Sequence, residues 1–476
     1  MEQPNGDACF STVDMLPSHA DVIIAGGGVT GASLAAGLGD QGYRVVVLEP
    51  NPNHCNRLAG ELIHPRGVEI LQSLGLMRAL WLRGGVPVDG FAVYPAPNEG
   101  EVCRLQYHEA ESNWTPGLGI HHETLVRTLR AESAARPGVT YIRAKCCELM
   151  ADGHRVVGVV ANDQNGRVFR LKSTVVVGAD GRQSTVRKLL RLSPEKERVS
   201  FSCGADLPLS ALPVSNCGHI FLGGWGPVLA YPVGTQHART IFDLPPDFSE
   251  GRKDRLSSYL EKNYLEFLPL QFRSHVKTAI HDYAGLQIAP NYRMRAERVW
   301  DKGVVLVGDA CGCMHPMTAA GITNGLHDVA TLLPLLRRYI DSGGQDQAAL
   351  GTYEARRKPF FATRYLLARA LWEVFRSDAP GAQALRMHVF RRWRTHPRFR
   401  RRTLGLLSGS ETRPWAFATQ YLSVVRDAAL GTANDGTDTS AAILRDIARQ
   451  SITHLDRRAL LASIFGFTRN IRFPMD

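Results

Sequence analysis

The apolar pattern is clearest near the start of the chain, where two short apolar runs flank a helical stretch. Residues 21–25 read Asp-Val-Ile-Ile-Ala, a β-branched run that is typical of a buried parallel strand. Residues from about 31 to 42 predict a helix, and residues 43–48 predict a second strand. This order of elements predicts a βαβ unit.

Two later apolar runs predict further buried strands. Residues 175–178 read Val-Val-Val-Gly, and residues 303–307 read Gly-Val-Val-Leu-Val. Helical periodicity over 68–76, 122–135 and 322–340 predicts helices between and after these strands. Together these elements predict the α/β class around the first unit.

Other stretches have a different character. Residues 84–113 and 195–294 alternate Val, Phe and Tyr runs with Pro and Gly, which predicts β-sheet, with one helix over 255–268. Residues 141–170 predict a three-stranded meander, and the chain is helical from about residue 350. The organisation is α+β overall. We predict a loose polar leader at 1–18, a nucleotide-binding domain at 19–83, 114–194 and 295–350, an inserted β-sheet substrate domain at 84–113 and 195–294, and a C-terminal helical region at 351–476.

Composition narrows the class of protein. The 476 residues are 44% hydrophobic and 21% charged, as in ordinary globular proteins, and leave room for two or three domains. Nine cysteines without a C-x-x-C pair argue against a disulfide framework and a zinc site. The first twenty residues lack the apolar segment of a signal peptide, and no apolar run is long enough for a transmembrane helix. We therefore expect a cytoplasmic protein.

A glycine motif joins the first strand to the first helix. Gly26, Gly28 and Gly31 form G-x-G-x-x-G, which permits a tight turn, close approach of a pyrophosphate and close packing of helix on strand. The helix N-terminus offers N–H groups and a positive dipole to phosphate. Glu49, at the end of the second strand, is placed to accept ribose hydroxyls. The motif predicts a dinucleotide site and leaves FAD and NAD(P) open.

Two arginines follow the βαβ unit. Arg57 and Arg66 flank the segment that leads into the helix at 68–76. A basic residue ahead of a helix, close to a dinucleotide loop, suits contact with pyrophosphate or flavin. Surface ion pairing is the alternative for both residues.

Two strand ends later in the chain carry acids. Asp180-Gly181 follows one apolar run and Gly308-Asp309 ends the other, where open α/β sheets bind ligands. Asp309 is placed to accept a polyol hydroxyl. Gly321 and Ile322 begin a helix whose N–H groups would face an anionic ring. No metal or nucleophile pattern fits this segment.

The histidine pair His121-His122 opens the helix at 122–135. Such a pair can be catalytic, but packing and capping are the more common roles at a helix start. We favour the structural interpretation.

The C-terminal region is basic and aromatic. Between Arg356 and Arg402 there are fourteen Lys or Arg residues and two acids, and aromatic residues lie among them, including Phe360, Phe361, Trp372, Phe390, Trp393 and Phe399. This pattern favours an interfacial helix on an anionic membrane. Packing of the aromatic residues onto the protein's own core is the alternative.

The three cofactor motifs together resemble the single-component FAD-dependent monooxygenases, which have the para-hydroxybenzoate hydroxylase fold. Within that group, residues 60–76 and 308–329 are similar to squalene monooxygenase (squalene epoxidase). The likeness spans about residues 20–340. Arg66 and Ala319-Ala320 depart from it, since the epoxidases favour glycine at these positions.

The resemblance implies a Rossmann-type FAD-binding domain, with NADPH or NADH as reductant. Reduced FAD would react with O2 to a flavin hydroperoxide, which would epoxidise or hydroxylate a lipophilic substrate of isoprenoid, prenylated or squalene-like type. The catalytic residues stay unknown, because the chemistry would be that of the flavin. No metal and no nucleic-acid partner are expected, and peripheral contact with anionic membrane is a further prediction. The implied cofactor-binding residues are Gly26, Gly28, Thr30, Gly31, Glu49, Arg57, Arg66, Asp180, Gly308, Asp309, Pro316, Gly321 and Ile322, of which Gly321 and Ile322 would lie near the flavin ring.

Other functions stay open at this point. Arg66 favours an aromatic ring hydroxylase of secondary metabolism. An FAD-dependent isoprenoid reductase is a further alternative, as is a non-catalytic FAD module whose basic C-terminal region binds membrane or nucleic acid.

Overall fold

The computed structural model describes residues 9–53, 58–95, 102–110, 115–192, 194–248, 255–282, 285–434, 443, 445 and 446. The strands are β1 (Phe10–Ser11), β2 (His19–Ala25), β3 (Val45–Leu48), β4 (Leu62–Ile63), β5 (Val86–Val88), β6 (Gly90–Tyr94), β7 (Cys103–Gln106), β8 (Gly117–Gly119), β9 (Val139–Ile142), β10 (Ala144–Asp152), β11 (Arg155–Asp163), β12 (Val168–Gly178), β13 (Lys196–Pro208), β14 (Cys217–Phe221), β15 (Val228–Pro232), β16 (His237–Leu244), β17 (Gln287–Arg295), β18 (Trp300–Asp301), β19 (Val304–Leu306) and β20 (Gly312–Cys313).

The helices are α1 (Val29–Gly39), α2 (Pro65–Ser73), α3 (Met77–Leu82), α4 (His122–Ala134), α5 (Thr185–Leu189), α6 (Leu256–Tyr264), α7 (Leu270–His281), α8 (Gly321–Asp341), α9 (Gln347–Arg376), α10 (Pro380–Thr395), α11 (Pro397–Ser408) and α12 (Pro414–Asn434). In the part of the chain that the structure describes, no helix combines the length and apolar character needed to span a bilayer.

The first sheet has a parallel centre in the order β9-β3-β2-β12-β19. The apolar runs in β2, β3, β12 and β19 are buried, because helices cover both faces of such a sheet. The predicted βαβ unit is confirmed, although α1 starts at Val29, two residues earlier than expected. The antiparallel strands β10 and β11 extend the sheet as the predicted meander.

The first strand of this sheet lies in the predicted leader. Phe10 and Ser11 pair in parallel with β9, and the Phe10 ring packs edge-on against Tyr141 at 5.8 Å. The interpretation of this stretch as loose is therefore wrong for residues 10 and 11. A two-residue strand carries no periodicity, so the sequence pattern could not indicate it.

The second sheet runs β20-β17-β13-β16-β15-β14-β6-β7 and is antiparallel except between β6 and β14. It combines strands from both stretches that predicted β-sheet, while β5 joins β4 and β8 in a small third sheet. Helices α6 and α7 replace the single helix expected over 255–268. They pack with strands β13, β14, β15 and β16 in one apolar cluster.

Helices α9 to α12 pack with the second sheet and with residues around β4 in another cluster, which we call the helix-side cluster. Its buried members include Leu62, Phe91, Tyr107, Met317, Leu366, Leu367, Trp372, Phe390, Trp393, Phe399, Leu404 and Leu407. The six aromatic residues named in the basic region, from Phe360 to Phe399, are all buried, and Phe399 is the most accessible of them at 9%. The interpretation that they enter a membrane is wrong for these six, and the alternative, core packing, is confirmed.

A buried ion pair joins the segment before β4, a strand of the small third sheet, to the second sheet. Glu61 accepts two hydrogen bonds from the Arg239 guanidinium, at 2.9 and 3.0 Å, and both side chains are nearly inaccessible. Arg239 also contacts Asp206 at 2.6 Å. Because Glu61 lies just before β4 and Arg239 lies in β16, the pair fixes the segment after the βαβ unit against the second sheet.

Candidate dinucleotide and flavin site

The glycine loop is built by close backbone contacts. Gly26 has φ +104°, and a Cβ there would lie 2.5 Å from the carbonyl oxygen of Ala179, so no larger residue fits. Gly28 is the N-cap of α1, and a Cβ there would meet no atom within 4 Å. The loop thus has a crowded inner side and an open outer side. The open side and the N-terminus of α1 form a cradle for an anionic group.

Glu49 lies against this loop and is held by three groups. Its carboxylate accepts hydrogen bonds from the main-chain N–H of Gly27 at 3.0 Å and of Asn51 at 2.9 Å. Arg130 supplies the third contact, at 3.0 Å. The carboxylate is therefore fixed beside the glycine loop, as the ribose interpretation requires.

Arg130 is a site residue that the sequence analysis missed. It is buried in α4 and donates to the carbonyl oxygens of Gly27 at 2.6 Å and Pro52 at 2.7 Å, besides its contact with Glu49. The only sequence signal is a charge on the face of α4 that also carries Val126 and Leu129. That face is otherwise apolar, and a charge there needs a partner.

Asp180 is fixed at one oxygen and unsatisfied at the other. Its Oδ2 accepts hydrogen bonds from the main-chain N–H of Thr185 at 2.6 Å and of Val186 at 3.2 Å, which caps α5. Its Oδ1 is buried and has no hydrogen-bond partner among the described residues. A buried acceptor without a donor is rare, and this one fits a ligand that brings a donor.

Two more predicted residues meet the first turn of α1. Gly308 has φ +60°, and a Cβ there would lie 2.7 Å from Oγ1 of Thr30. The Gly308 N–H donates to buried Asp328 at 2.9 Å, and Asp328 pairs with Arg357 at 3.0 Å. Asp309 follows directly, so it lies near the N-terminus of α1 although 280 residues separate them in sequence.

The loop from His315 to Ile322 leads into α8. His315 Nε2 lies 2.9 Å from Ser200 Oγ and 3.2 Å from Asp243 Oδ1, and Trp372 donates to Asp243 at 2.6 Å. His315 Nδ1 accepts from the N–H of Met317 at 3.1 Å. Ser200 and Asp243 thus both contact Nε2 of His315. In a catalytic triad the nucleophile and the acid contact different ring nitrogens, so this buried network holds the loop and is not such a triad.

A second histidine, which the sequence analysis also missed, anchors the middle of this loop. His64 Nε2 lies 2.6 Å from the carbonyl oxygen of Thr318, which can only accept a hydrogen bond. His64 Nδ1 therefore accepts from the hydroxyl of Tyr107 at 2.7 Å. Burial lowers the pKa of His64 to about 4, so the ring is neutral at physiological pH.

The predicted flavin-ring residues lie at the start of α8. Pro316 and Gly321 are exposed, and Ala319 has φ +50°, a left-handed conformation that glycine adopts more easily. The side chain of Ile322 lies 3.0 Å from the position that a Cβ of Gly60 would occupy. The loop therefore faces the segment before β4 and keeps main-chain groups accessible at its tip.

The predicted arginines and histidines differ in outcome. Arg57 lies outside the described residues. Arg66 is 43% exposed and pairs with Glu69 on its own helix at 2.8 Å, which is the surface ion pair left as the alternative. Its role toward a cofactor stays a prediction. His122 lies 2.9 Å from the carbonyl oxygen of Gly60, in agreement with the structural interpretation.

The remaining predicted residues form one site around the start of α1. Main-chain N–H groups, a fixed carboxylate at Glu49 and an unsatisfied one at Asp180 suit the phosphates and hydroxyls of a dinucleotide. In the described part of the chain, no group of three or more His, Cys, Asp or Glu residues is placed to hold a metal ion. The arrangement thus suits a bound dinucleotide.

The sequence is similar to those of known proteins. The family model described as squalene epoxidase matches residues 172–437. Squalene epoxidase erg1 of Aspergillus fumigatus is 30% identical over 387 residues, which cover 79% of this chain and 79% of that protein. Squalene monooxygenase of Mus musculus is 27% identical over 426 residues, which cover 88% of this chain and 73% of that protein.

Solved structures agree on the fold. PqsL, a probable FAD-dependent monooxygenase from Pseudomonas aeruginosa, is 25% identical with a TM-score of 0.66, covering 75% of this chain and 97% of that one. p-Nitrophenol 4-monooxygenase PnpA from Pseudomonas putida shares the fold, with 20% identity, a TM-score of 0.71, and coverage of 82% and 99%. The chain therefore belongs to the squalene epoxidase family and is an FAD-dependent monooxygenase with a Rossmann-type FAD-binding fold.

Proposed function

We propose that this enzyme uses NAD(P)H and O2 to epoxidise or hydroxylate a lipophilic substrate of isoprenoid, prenylated or squalene-like type. The observation that carries the proposal is the position of the loop at 315–322. Met317 in this loop belongs to the helix-side cluster, while the following helix α8 packs against α1 of the FAD-binding sheet. An apolar substrate beside this loop would thus reach a flavin bound at the start of α1.

The residues present fit FAD. The open side of the glycine loop at Gly28 suits the pyrophosphate, and Glu49 suits the adenosine ribose. The unsatisfied Oδ1 of Asp180 needs a donor, and Asp309 would accept a ribityl hydroxyl. FAD supplies, when bound, electron transfer from the nicotinamide and activation of O2.

The protein's own part is positioning and exclusion of water. The N–H groups of Gly321 and Ile322 at the start of α8 would stabilise negative charge on the flavin ring. His315 holds the start of this loop and His64 holds its middle, both through buried hydrogen bonds. The apolar side chains of the helix-side cluster keep water from the reacting atoms, which protects a reactive oxygen species from wasteful decay.

The proposal predicts which compounds stimulate NAD(P)H oxidation. We expect squalene-like hydrocarbons, prenylated aromatics or linear isoprenoids to stimulate NAD(P)H and O2 consumption together, and simple phenols to have no effect. The measurement is a parallel assay of nicotinamide absorbance and dissolved oxygen. Stimulation by simple phenols alone would indicate an aromatic ring hydroxylase, and NAD(P)H consumption without O2 uptake would indicate a reductase.

Asp180→Asn tests the cofactor role of the unsatisfied oxygen. The amide oxygen can still cap α5, while the NH2 group replaces an acceptor with a donor. An unmet buried hydrogen bond costs about 1–3 kcal/mol, so FAD affinity should fall roughly 5- to 150-fold. Titration of apoprotein with FAD, followed by flavin fluorescence, measures this.

Asp152→Asn, at the exposed end of β10, is the matched control and should leave FAD affinity unchanged. Equal FAD affinity in wild-type protein and Asp180→Asn would limit Asp180 to capping α5.

We also propose peripheral contact with anionic membrane through the exposed arginines of α10 and α11. These are Arg391, Arg394, Arg398, Arg401 and Arg402. Exposed apolar side chains occur on α10 and α12, at Met387, Trp415, Leu422 and Leu430. In this proposal these four side chains would contact the membrane, which the six buried aromatic residues do not reach. Basic residues with exposed apolar side chains suit an interfacial surface.

Co-sedimentation with vesicles tests this contact. Each arginine near an anionic surface contributes about 1 kcal/mol, so changing Arg398, Arg401 and Arg402 to Gln should weaken binding roughly 100-fold. A control with equal charge loss changes Arg44, Arg167 and Arg298, which are exposed near the first sheet. Equal loss in both variants, or no binding to anionic vesicles at low salt, would contradict the contact.

A further inference from the structure

Arg364, near the middle of α9, is a buried cation without a carboxylate partner among the described residues. Its side chain is 1% exposed. One terminal nitrogen, Nη2, donates to the carbonyl oxygen of Glu411 at 2.9 Å, and the guanidinium lies 4.8 Å from the centre of the Phe360 ring. The other, Nη1, is buried and has no acceptor in the part of the chain that the structure describes.

Three other buried arginines in the described part of the chain are neutralised by carboxylates, whereas buried Arg187 donates to the main-chain carbonyl oxygens of Ala310 and Arg182. The pairs are Arg130 with Glu49 at 3.0 Å, Arg239 with Glu61 at 2.9 Å and Arg357 with Asp328 at 3.0 Å. A buried charge without such a partner is strongly unfavourable, so it needs a functional reason or a ligand.

Glu411 does not neutralise Arg364. Its Oε1 accepts from the main-chain N–H and from Nε of Arg413, both at 2.9 Å, and its Oε2 accepts from Nη2 at 2.6 Å. The carboxylate is thus directed at Arg413, and Arg364 receives only the main-chain carbonyl. Burial lowers the pKa of Arg364 to about 9, which the charge of Glu411 offsets only in part.

Arg364 lies among basic residues on the side of α9 that packs against α8, the helix that follows the loop at 315–322. His327 of α8 stacks on Phe360 with 3.6 Å between the ring centres, and Arg364 lies over the same Phe360 ring. Burial, together with the charge of Arg364, lowers the pKa of His64, the residue that holds Thr318. Burial and the charges of Arg66, Arg364 and Arg357 lower the pKa of His327 to about 3. Oγ1 of Thr318 is also buried and has no partner among the described residues. Two unsatisfied polar groups therefore occur, one on α9 and one in the loop that packs against α9.

We propose that Arg364 binds an anionic group of the substrate, a carboxylate or a phosphate, so that the enzyme prefers an amphiphilic isoprenoid with such a group. The inference rests on the proposed function and narrows its substrate class. A guanidinium with a free Nη1 donor forms a strong, directed hydrogen bond to such an oxygen. Leu367, three residues further along α9 and on the same side of the helix, belongs to the helix-side cluster and would contact the apolar chain.

Ligand binding to the FAD-saturated enzyme tests this inference without turnover. The probes are a linear isoprenoid carboxylic acid, the alcohol and the monophosphate of equal chain length, and squalene. Changes in flavin absorbance report binding in the absence of NAD(P)H. We expect the acid, the monophosphate or both to bind roughly 10- to 100-fold more tightly than the alcohol, since a charged hydrogen bond replaces a neutral one.

Variants locate the source of this preference. Arg364→Met should remove the preference for the anion and leave the affinity for the alcohol unchanged, while Arg364→Lys should keep part of it. Arg369→Met is the matched control, because Arg369 lies on the same helix but pairs with Glu373 near the surface, and it should keep the full preference. Thermal melting and FAD content identify variants that fail to fold.

The inference would be overturned if the wild-type enzyme bound the acid, the monophosphate and the alcohol with equal affinity. It would also be overturned if none of the three bound detectably. This comparison needs no variant. An unchanged preference in folded Arg364→Met would also overturn it. Failure of the proposed function is seen separately, as absence of substrate-stimulated NAD(P)H oxidation in an enzyme that still binds the anions.

Discussion

The structure depends on one steric constraint, the close approach of three distant chain segments at the first turn of α1. Gly31 packs against the carbonyl of Gly26, and Thr30 packs against Gly308 and Gly325. A single methyl group at any of these glycines would collide with its neighbour. Because of these contacts, the glycine loop and the Gly308 turn share one edge of the sheet. The Asp180 turn joins them there through the contact of Gly26 with Ala179.

Buried polar contacts connect the region around α1 and α8 to the second sheet and the C-terminal helices. The loop at 315–322 is held by His64 at Thr318 and by the network of His315, Asp243 and Trp372. Trp372 comes from α9 and Asp243 from β16, so one buried carboxylate connects sheet, helix and loop. A helix that only covered the sheet would not need such a network. We therefore regard α9 as part of the site.

The sequence predicts most of the cofactor side of this protein, because its motifs are local. The strand, glycine loop, helix and terminal acid lie within thirty residues and follow each other without tertiary help. Arg130 and His64 could not be found in this way. Their partners lie 103 and 254 residues away, and neither residue belongs to a motif.

For the basic aromatic region, the sequence could not distinguish membrane contact from packing in the core. Aromatic residues at helical spacing look the same whether they enter a membrane or the core, since both environments are apolar. Only packing distinguishes the two, and here α9 to α11 turn Phe360, Trp372 and Trp393 inward. The exposed arginines are left on the outside. For the same reason, the sequence does not distinguish Arg364 from the other thirteen cations of this region.

The most direct test of the central claim is the fate of molecular oxygen. The purified enzyme would be supplied with FAD, NAD(P)H, a stimulating lipophilic substrate and 18O2, and the product analysed by mass spectrometry. A monooxygenase predicts one 18O atom in each product molecule and none from labelled water. A product without 18O, or with oxygen derived from water, would contradict the account.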